Sequence, residues 1–246
     1  MTVIEFRKVS KSYPFYLHLS FGFKYFLLNL GKVTKEFKRR FEVLRDVSFS
    51  VEKGECIGII GRNGAGKSTL LSLIAGVIKP DSGEIIVRGR VTALLELGAG
   101  FHPDLTGREN IVLNGVLMGM TRREVLSKMD EIIEFSELGE FIDQPLRTYS
   151  SGMIARLGFS VTAHLTSDIY LIDEILAVGD IGFQKKCLQR FEKLRESGAT
   201  IVIVSHQTDM IRKLTDRVIW IDNHTIRAIG APEEICAQYE KEMNMA

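Results

Sequence analysis

Cysteine is scarce in this chain of 246 residues, which contains only Cys56, Cys187 and Cys236. Their spacing matches no zinc-binding pattern, and an odd number does not suit the paired disulfides of a small secreted protein. We therefore expect reduced thiols and a cytosolic setting. The first residues, MTVIEFRKVSKSY, alternate and carry charge, which also argues against a secretory signal peptide.

Long apolar runs are missing as well, since no segment reaches the ~20 apolar residues that a membrane-spanning helix needs. Residues 14–30, PFYLHLSFGFKYFLLNL, come nearest, but His18 and Lys24 interrupt them, and the basic run KVTKEFKRRF follows. Apolar bulk beside basic residues is typical of a helix that lies at a membrane surface. We expect an interfacial or partner-facing segment; the alternative is that its aromatic side chains pack back onto the core.

A strong charge of one sign is also absent, because 32 basic and 31 acidic residues leave a formal charge of +1. This balance gives no bulk electrostatic signal for nucleic-acid binding. The hydrophobic share of 45% is that of an ordinary globular chain, long enough to bury a sizeable core. Internal repeats and low-complexity runs are not found. The composition predicts one domain, or one domain with an added lobe.

Strand and helix patterns alternate along the chain, which predicts an α/β fold with a largely parallel sheet. VIEFRKVSKSY and FEVLRDVSFSV form a strand pair that residues 15–40 interrupt as an insertion. ECIGIIG, SGEIIVRGRV, DIYLIDE and ATIVIVSH are further strands, while DRVIWIDNHTIRAIG is a closing hairpin before a terminal helix. Residues 106–165 have helical spacing, with TRREVLSKMDEIIEFSEL among the helical stretches. We predict a single domain over 1–246, with its core in 1–95 and 167–246 and a helical lobe in 96–166.

The segment GRNGAGKST, residues 61–69, matches the phosphate-binding pattern G-x-x-x-x-G-K-[ST] between a predicted strand and a predicted helix. Its glycines let the backbone N–H groups turn toward phosphate oxygens, and the helix N-terminus favours anions. We expect Lys67 to reach the β- and γ-phosphates and to act in catalysis, and Ser68 to bind Mg²⁺. A chance glycine turn is the alternative. The predicted nucleotide-binding residues of this loop are Gly61, Arg62, Asn63, Gly64, Ala65, Gly66, Lys67, Ser68 and Thr69.

Two acidic residues end the apolar strand DIYLIDE, and a histidine ends IVIVSH. Carboxylates at a buried strand end are costly unless a cation or water satisfies them. We expect Asp173 to bind Mg²⁺ and Glu174 to polarise the attacking water. His206 is expected to contact the γ-phosphate, because ligands sit at strand ends in open parallel sheets. The alternatives are a strand that simply reaches solvent and a structural histidine.

Together these motifs resemble the ATP-binding cassette family over nearly the whole chain. The resemblance implies a P-loop NTPase fold with a RecA-like core of mostly parallel strands, an N-terminal antiparallel β subdomain and an inserted helical lobe. It also implies that YSSGM, residues 149–153, is the signature segment, usually LSGGQ, which closes over ATP bound to a second subunit. Ser151 and Gly152 would then contact the γ-phosphate. Tyrosine, serine and methionine replace the usual leucine, first glycine and glutamine.

Three further positions follow from the resemblance. Asp180, in AVGD, fits the loop that contacts the partner cassette. Tyr13 fits the aromatic residue that stacks on adenine, although it fits packing under the insertion as well. The family also has a glutamine between its two lobes, and LLELGAGFHPDLTG has none. Glu96 is the nearest candidate for this position and for a further Mg²⁺ contact; the alternative is an exposed strand end.

YSSGM, the run LLELGAGFHPDLTGRENI and the early insertion together resemble the cassette subunits that export lipid-linked polysaccharides. This implies hydrolysis of ATP with Mg²⁺ in a homodimer, bound to two permease subunits that pass the polysaccharide, at the cytoplasmic face of the inner membrane and with no nucleic-acid partner. O-antigen is the first expected substrate, with capsule or teichoic acid as alternatives. A soluble cassette acting on another macromolecule and a non-hydrolysing regulator are the rival classes. Whether a C-terminal carbohydrate-binding domain is naturally absent or was removed stays open.

Overall fold

The computed structural model describes residues 1–14, 40–94, 98–173 and 179–244. Its strands, in chain order, are β1 (Thr2–Pro14), β2 (Arg40–Glu52), β3 (Cys56–Ile60), β4 (Ser82–Val87), β5 (Val91–Leu94), β6 (Ile169–Asp173), β7 (Thr200–Val204), β8 (Arg217–Asp222) and β9 (Thr225–Gly230). The α-helices are α1 (Lys67–Ile74), α2 (Gly107–Leu117), α3 (Arg122–Ser127), α4 (Met129–Ser136), α5 (Ser151–Ala163), α6 (Ile181–Glu196), α7 (Thr208–Leu214) and α8 (Pro232–Met243). Short 3₁₀ helices cover Gly139–Asp143 and Leu146–Thr148.

The strands form two sheets of different type. One is antiparallel with the order β2-β1-β4, and the other has six strands in the order β5-β6-β7-β3-β8-β9. In the larger sheet all neighbours pair in parallel except β8 and β9, which form the closing hairpin. The central strands β3 and β7 are buried at every position, as expected for parallel strands covered on both faces. The predicted α/β fold with an antiparallel subdomain is confirmed.

Three hydrophobic clusters hold the described residues together. One joins the antiparallel sheet, α1 and one face of the large sheet, and includes Phe6, Leu44 and Leu71. A second covers the opposite face with side chains from α5 to α8. The third lies within the helical stretch between residues 101 and 165 and includes Ile111 and Leu157. The helical stretch therefore has a core of its own.

Two predicted elements are divided in the structure. SGEIIVRGRV was expected as one strand, but β4 and β5 belong to different sheets. The Arg88 N–H donates to the Val3 carbonyl in the small sheet (2.8 Å), whereas the Arg90 carbonyl accepts from the Ile169 N–H beside the large one (3.0 Å). TRREVLSKMDEIIEFSEL is likewise two helices, with Lys128 leaving helical geometry at φ −107° and ψ 2°.

Helix α7 was not predicted, because its seven residues are too few for helical periodicity to stand out. The insertion over 15–40 lies outside the described residues except for Arg40. That residue pairs with Pro14 at the end of the β1–β2 ladder, so the chain leaves and re-enters at adjacent strand ends. In the part of the chain that is described, no helix combines the length and apolar character required to cross a membrane.

Candidate nucleotide site

The loop between β3 and α1 contains two positions that only glycine can occupy. Gly66 has φ +104°, and a Cβ placed there would lie 2.7 Å from the Val43 carbonyl oxygen. At Gly61 a Cβ would come within 2.3 Å of the Ile221 carbonyl oxygen. Both separations are shorter than contacts between real atoms, so the loop is built to press against β2 and β8. This close packing fixes where the helix N-terminus points.

The predicted phosphate-binding lysine is buried and held by the loop itself. Lys67 is 7% exposed, and its Nζ donates to the carbonyl oxygens of Gly61 (2.8 Å) and Arg62 (3.0 Å). The backbone thus orients a positive charge that would otherwise be costly to bury. The ammonium carries a positive charge and hydrogen-bond donors only, which is the chemistry that an anion requires.

The carboxyl end of β6 lies next to the first turn of α1. The Ser68 hydroxyl lies 3.3 Å from Asp173 Oδ2, although 105 positions separate the two residues in the chain. Parallel β3, β7 and β6 place their carboxyl ends at one edge of the sheet, which brings this hydroxyl and carboxylate together. The sequence predicted both as Mg²⁺ contacts, and the fold makes them neighbours.

These groups line one cavity of about 540 Å³. Its walls come from the glycine loop, from the ends of β6 and β7, and from the start of β2. The lining residues are Phe41, Val43, Asn63, Gly64, Gly66, Lys67, Ser68, Thr69, Asp173 and His206. Lys67, Asp173 and His206 therefore face one volume. Gly61 lies in the same loop outside this lining, and the Ala65 N–H donates to the Arg62 carbonyl (3.1 Å), which closes the turn.

The donor set fits a magnesium ion bound together with phosphates. Mg²⁺ prefers oxygen ligands and usually takes one or two from the protein, with phosphate and water completing its octahedron. A hydroxyl and a carboxylate side by side at the cavity satisfy that requirement. Among the described residues no group of three or more histidine, cysteine or acidic side chains could hold an ion alone. Glu96 and Glu174 lie outside the described residues.

The aromatic wall of the cavity differs in detail from the prediction. Tyr13, expected to stack on adenine, is exposed and does not line the cavity; the Lys11 ammonium lies 5.5 Å from its ring centre. Phe41 lines the cavity instead and is 46% exposed. The two residues are directly opposite in the β1–β2 ladder, so their side chains share one face of the sheet. This pairing across the insertion was the signal by which Phe41 could have been found.

The YSSGM segment leads into helix α5, and none of its residues is among those that line the cavity. Ser150 is the N-cap, and its hydroxyl accepts from the Met153 N–H (3.2 Å). Ser151 and Gly152 form the exposed first turn. Tyr149, which departs from the family's leucine, is buried, and its hydroxyl donates to the Phe141 carbonyl. This burial raises the pKa of Tyr149 to about 12, so the side chain acts as a neutral anchor.

Asp180 connects this helix to the start of α6. Its Oδ1 accepts from the Phe183 N–H at 2.9 Å as an N-cap, and its Oδ2 pairs with the Arg156 guanidinium of α5. The N–H of Phe183, and then the charge of Arg156, lower the pKa of Asp180. Arg156 also contacts Glu137 (3.4 Å). The sequence had indicated Asp180 but not the arginine that binds it within the same chain.

Comparisons with known proteins give a consistent result. A family model described as ABC transporter matches residues 44–177. The O-antigen export system ATP-binding protein RfbB of Klebsiella pneumoniae is 53% identical over 242 residues, which is 98% of each chain. The protein of that name from Myxococcus xanthus is 53% identical over 82% of this chain but 46% of its own length. The teichoic acids export ATP-binding protein TagH of Lactococcus lactis is 48% identical over 83% of this chain and 44% of its own length.

Solved structures match the architecture. A dimeric post-hydrolysis state of the ATP-binding cassette MJ0796 bound to ADP and Pi superposes with a TM-score of 0.72 at 22% identity, covering 93% of this chain and 98% of that one. An ATP-binding subunit of an ABC transporter gives a TM-score of 0.75 at 22% identity, covering 97% and 94%. At this identity the likeness shows the fold alone.

Proposed function

Because the chain belongs to the ABC transporter family, we propose that it is the ATP-hydrolysing subunit of a transporter that exports a lipid-linked polysaccharide. O-antigen is the substrate that we favour, since the relatives that match nearly end to end are named for its export. Teichoic acid is the second candidate, because relatives named for that export are 48% and 41% identical.

One observation carries the catalytic part of the proposal: Lys67, the Ser68–Asp173 pair and His206 line the same cavity. A bound Mg²⁺ would neutralise charge on the β- and γ-phosphates. Lys67 would bind phosphate oxygens through its ammonium group, which the loop carbonyls orient. Asp173 and Ser68 would supply the metal's protein oxygens. We assign Glu174 to orient the attacking water and His206 to contact the γ-phosphate, as the strand order suggests.

The proposal extends to assembly. We propose a homodimer in which Ser151 and Gly152 of one copy face the nucleotide of the other, since both are exposed at a helix N-terminus and absent from the cavity of their own chain. Two permease subunits would bind the pair at the cytoplasmic face of the inner membrane. Residues 96–166 would move as a lobe against the core formed by 1–95 and 167–246, and residues 15–40 would face the membrane surface or the permease.

Glu174→Gln tests the catalytic assignment. The variant should bind ATP but lose turnover and accumulate as an ATP-bound dimer, which phosphate release and size-exclusion chromatography with light scattering would measure. Glu196→Gln, an exposed acid at the end of α6, is the matched control. Unchanged hydrolysis in Glu174→Gln would remove that residue from its role. A wild-type chain that never hydrolyses ATP, alone or with its permease, would overturn the function.

Export requires a separate test in cells. The gene should restore surface O-antigen to a strain that lacks its own export ATPase, provided that the cognate permease is present. Deletion of residues 15–39, which spares Arg40 at the start of β2, should stop export while ATP hydrolysis by the purified chain largely survives. Restoration of teichoic-acid export only would favour the second substrate, and equal loss of both activities would contradict the proposed role of the insertion.

A further inference from the structure

One carboxylate joins the two strand ends between which the insertion lies. Asp81 sits in the turn before β4, and its Oδ2 accepts from the Ser12 N–H and hydroxyl, both at 2.8 Å. The same oxygen accepts from the Arg40 guanidinium at 2.9 Å, and Oδ1 accepts from Lys11 Nζ at 3.2 Å. Asp81 therefore binds the last residues of β1 and the first residue of β2 at once.

Arg40 strengthens this junction with two more hydrogen bonds. Its Nε donates to the Ser12 hydroxyl (2.7 Å) and its Nη2 to the Ser12 carbonyl (3.0 Å). Tyr13 and Phe41, which directly follow Ser12 and Arg40 in the chain, are paired with each other across the ladder. Phe41 is the aromatic side chain in the cavity wall. The polar junction thus fixes the backbone from which that wall extends.

The junction is more than a scattered surface ion pair, which would contribute little. Lys11 is only 15% exposed at its side chain, and Asp81 is 34% exposed. Partial desolvation disfavours the charged form of Asp81. The hydrogen bonds from Ser12 and Lys11 outweigh that effect and lower the pKa of the carboxyl to about 2. Several charge-assisted bonds that meet at one carboxylate restrict both strands together.

We propose that Asp81 is a positioning residue for nucleotide binding, which holds the facing ends of β1 and β2 so that the Phe41 ring contacts the base of the bound nucleotide. The inference rests on the proposed function, because it takes the cavity to be a nucleotide site. It assigns the base contact to Phe41, and it gives Asp81, which is not among the residues that line the cavity, an effect through that ring.

The test separates the contribution of the base to binding affinity from that of the phosphates. Affinities of wild type, Asp81→Asn and Phe41→Ala would be measured for ATP and for inorganic tripolyphosphate, which carries the phosphates without a base, both with Mg²⁺. Loss of a stacked aromatic weakens base binding by about tenfold. We expect Phe41→Ala to lose about tenfold in ATP affinity and Asp81→Asn somewhat less. Both variants should keep the wild-type affinity for tripolyphosphate.

A double-variant cycle tests whether Asp81 acts through Phe41. If it does, Asp81→Asn should add nothing to Phe41→Ala in ATP binding, since coupled residues are not additive. Asp81→Glu should recover part of the loss, and Arg40→Gln should reproduce it. The control is Asp143→Asn, which breaks an exposed ion pair with Arg108 (3.0 Å) in the helical stretch and should leave both affinities unchanged.

Three results would overturn the inference: unchanged ATP affinity in Asp81→Asn, an equal loss for ATP and tripolyphosphate, or full additivity with Phe41→Ala. The first would show that the junction is dispensable for binding. The second would show a general disturbance of the cavity, which thermal unfolding of each variant would reveal independently. A wild-type chain that binds neither ligand would instead contradict the proposed function.

Discussion

The glycine loop at residues 61–69 and the turn at residues 149–152, which was predicted to be the signature segment, both lead the chain into a helix N-terminus, yet they are built in opposite ways. The first is packed so tightly that a Cβ at Gly66 would strike the Val43 carbonyl. The second is open, and a Cβ at Gly152 would meet nothing closer than the Ser150 hydroxyl at 3.8 Å. The glycine loop is packed against other strands of its own chain, whereas the turn at residues 149–152 leaves its helix N-terminus exposed. This openness is what the proposed site shared by two copies requires of the turn at residues 149–152.

Replacement of the buried Lys67 should have the largest effect, and it tests whether the glycine loop is essential for hydrolysis. Lys67→Ala should lower the rate of ATP hydrolysis by about a thousandfold, because a preoriented charge at the transferring phosphate is lost. Phosphate release at saturating ATP would measure the change. Lys53→Ala, in the turn after β2, is the control and should keep wild-type turnover. A Lys67→Ala rate within tenfold of wild type would contradict the central role of the loop.

Alanine substitutions at Gly66 and Gly152 test the difference between the two turns directly. Gly66→Ala should weaken ATP binding to the isolated chain by at least about tenfold, since the residue has φ +104° and no room for a Cβ. Gly152→Ala should leave that affinity nearly unchanged, because its backbone is helical and its surroundings are open. Its effect should be confined to turnover in the dimer. Calorimetric titration and hydrolysis assays would distinguish the two, and equal losses of affinity would refute the comparison.

Removal of the Ser150 N-cap should have a smaller effect, which is on stability. In Ser150→Ala the Met153 N–H loses its acceptor, which costs about 1 kcal/mol at a helix N-terminus. The unfolding temperature should fall by about 2–4 °C for a chain of this size. Ser197→Ala, beyond the end of α6, serves as the control in scanning calorimetry. An unchanged melting temperature for Ser150→Ala would mean that this cap contributes nothing.

Asp180→Asn should have the smallest effect on stability, and this effect should depend on pH. The Phe183 N–H, followed by Arg156, lowers the folded-state pKa of Asp180 from 3.8, so the stabilisation is present above that value and is lost as pH falls through the folded pKa. The variant should melt below wild type near pH 7, and the gap should narrow under acid conditions. Melting curves between pH 7 and acid would show it. A gap that is constant with pH would point to lost packing rather than lost charge.

Much of the phosphate end of the site could be predicted from local sequence. Nine consecutive residues carry the glycine loop, and two strand ends carry Asp173 and His206; motif and periodicity single out these residues, and the structure places Lys67, Asp173 and His206 around one cavity. Phe41 was not predicted because its place in the cavity wall follows from its pairing with Tyr13 across an insertion, and not from its neighbours in the chain. Helix α7 and the break at Lys128 escaped because short elements leave weak periodic signals.

Local sequence accounts for the backbone at Gly61 and Gly66, which only glycine tolerates, and for the order of strands and helices, since burial imposes their periodicity. The tertiary structure alone decided which distant groups meet: Ser68 with Asp173, Asp81 with Ser12 and Arg40, and Asp180 with Arg156. The physical reason is that such contacts depend on strand order and register. These are set by the packing of whole sheets and helices, which no short stretch of sequence encodes.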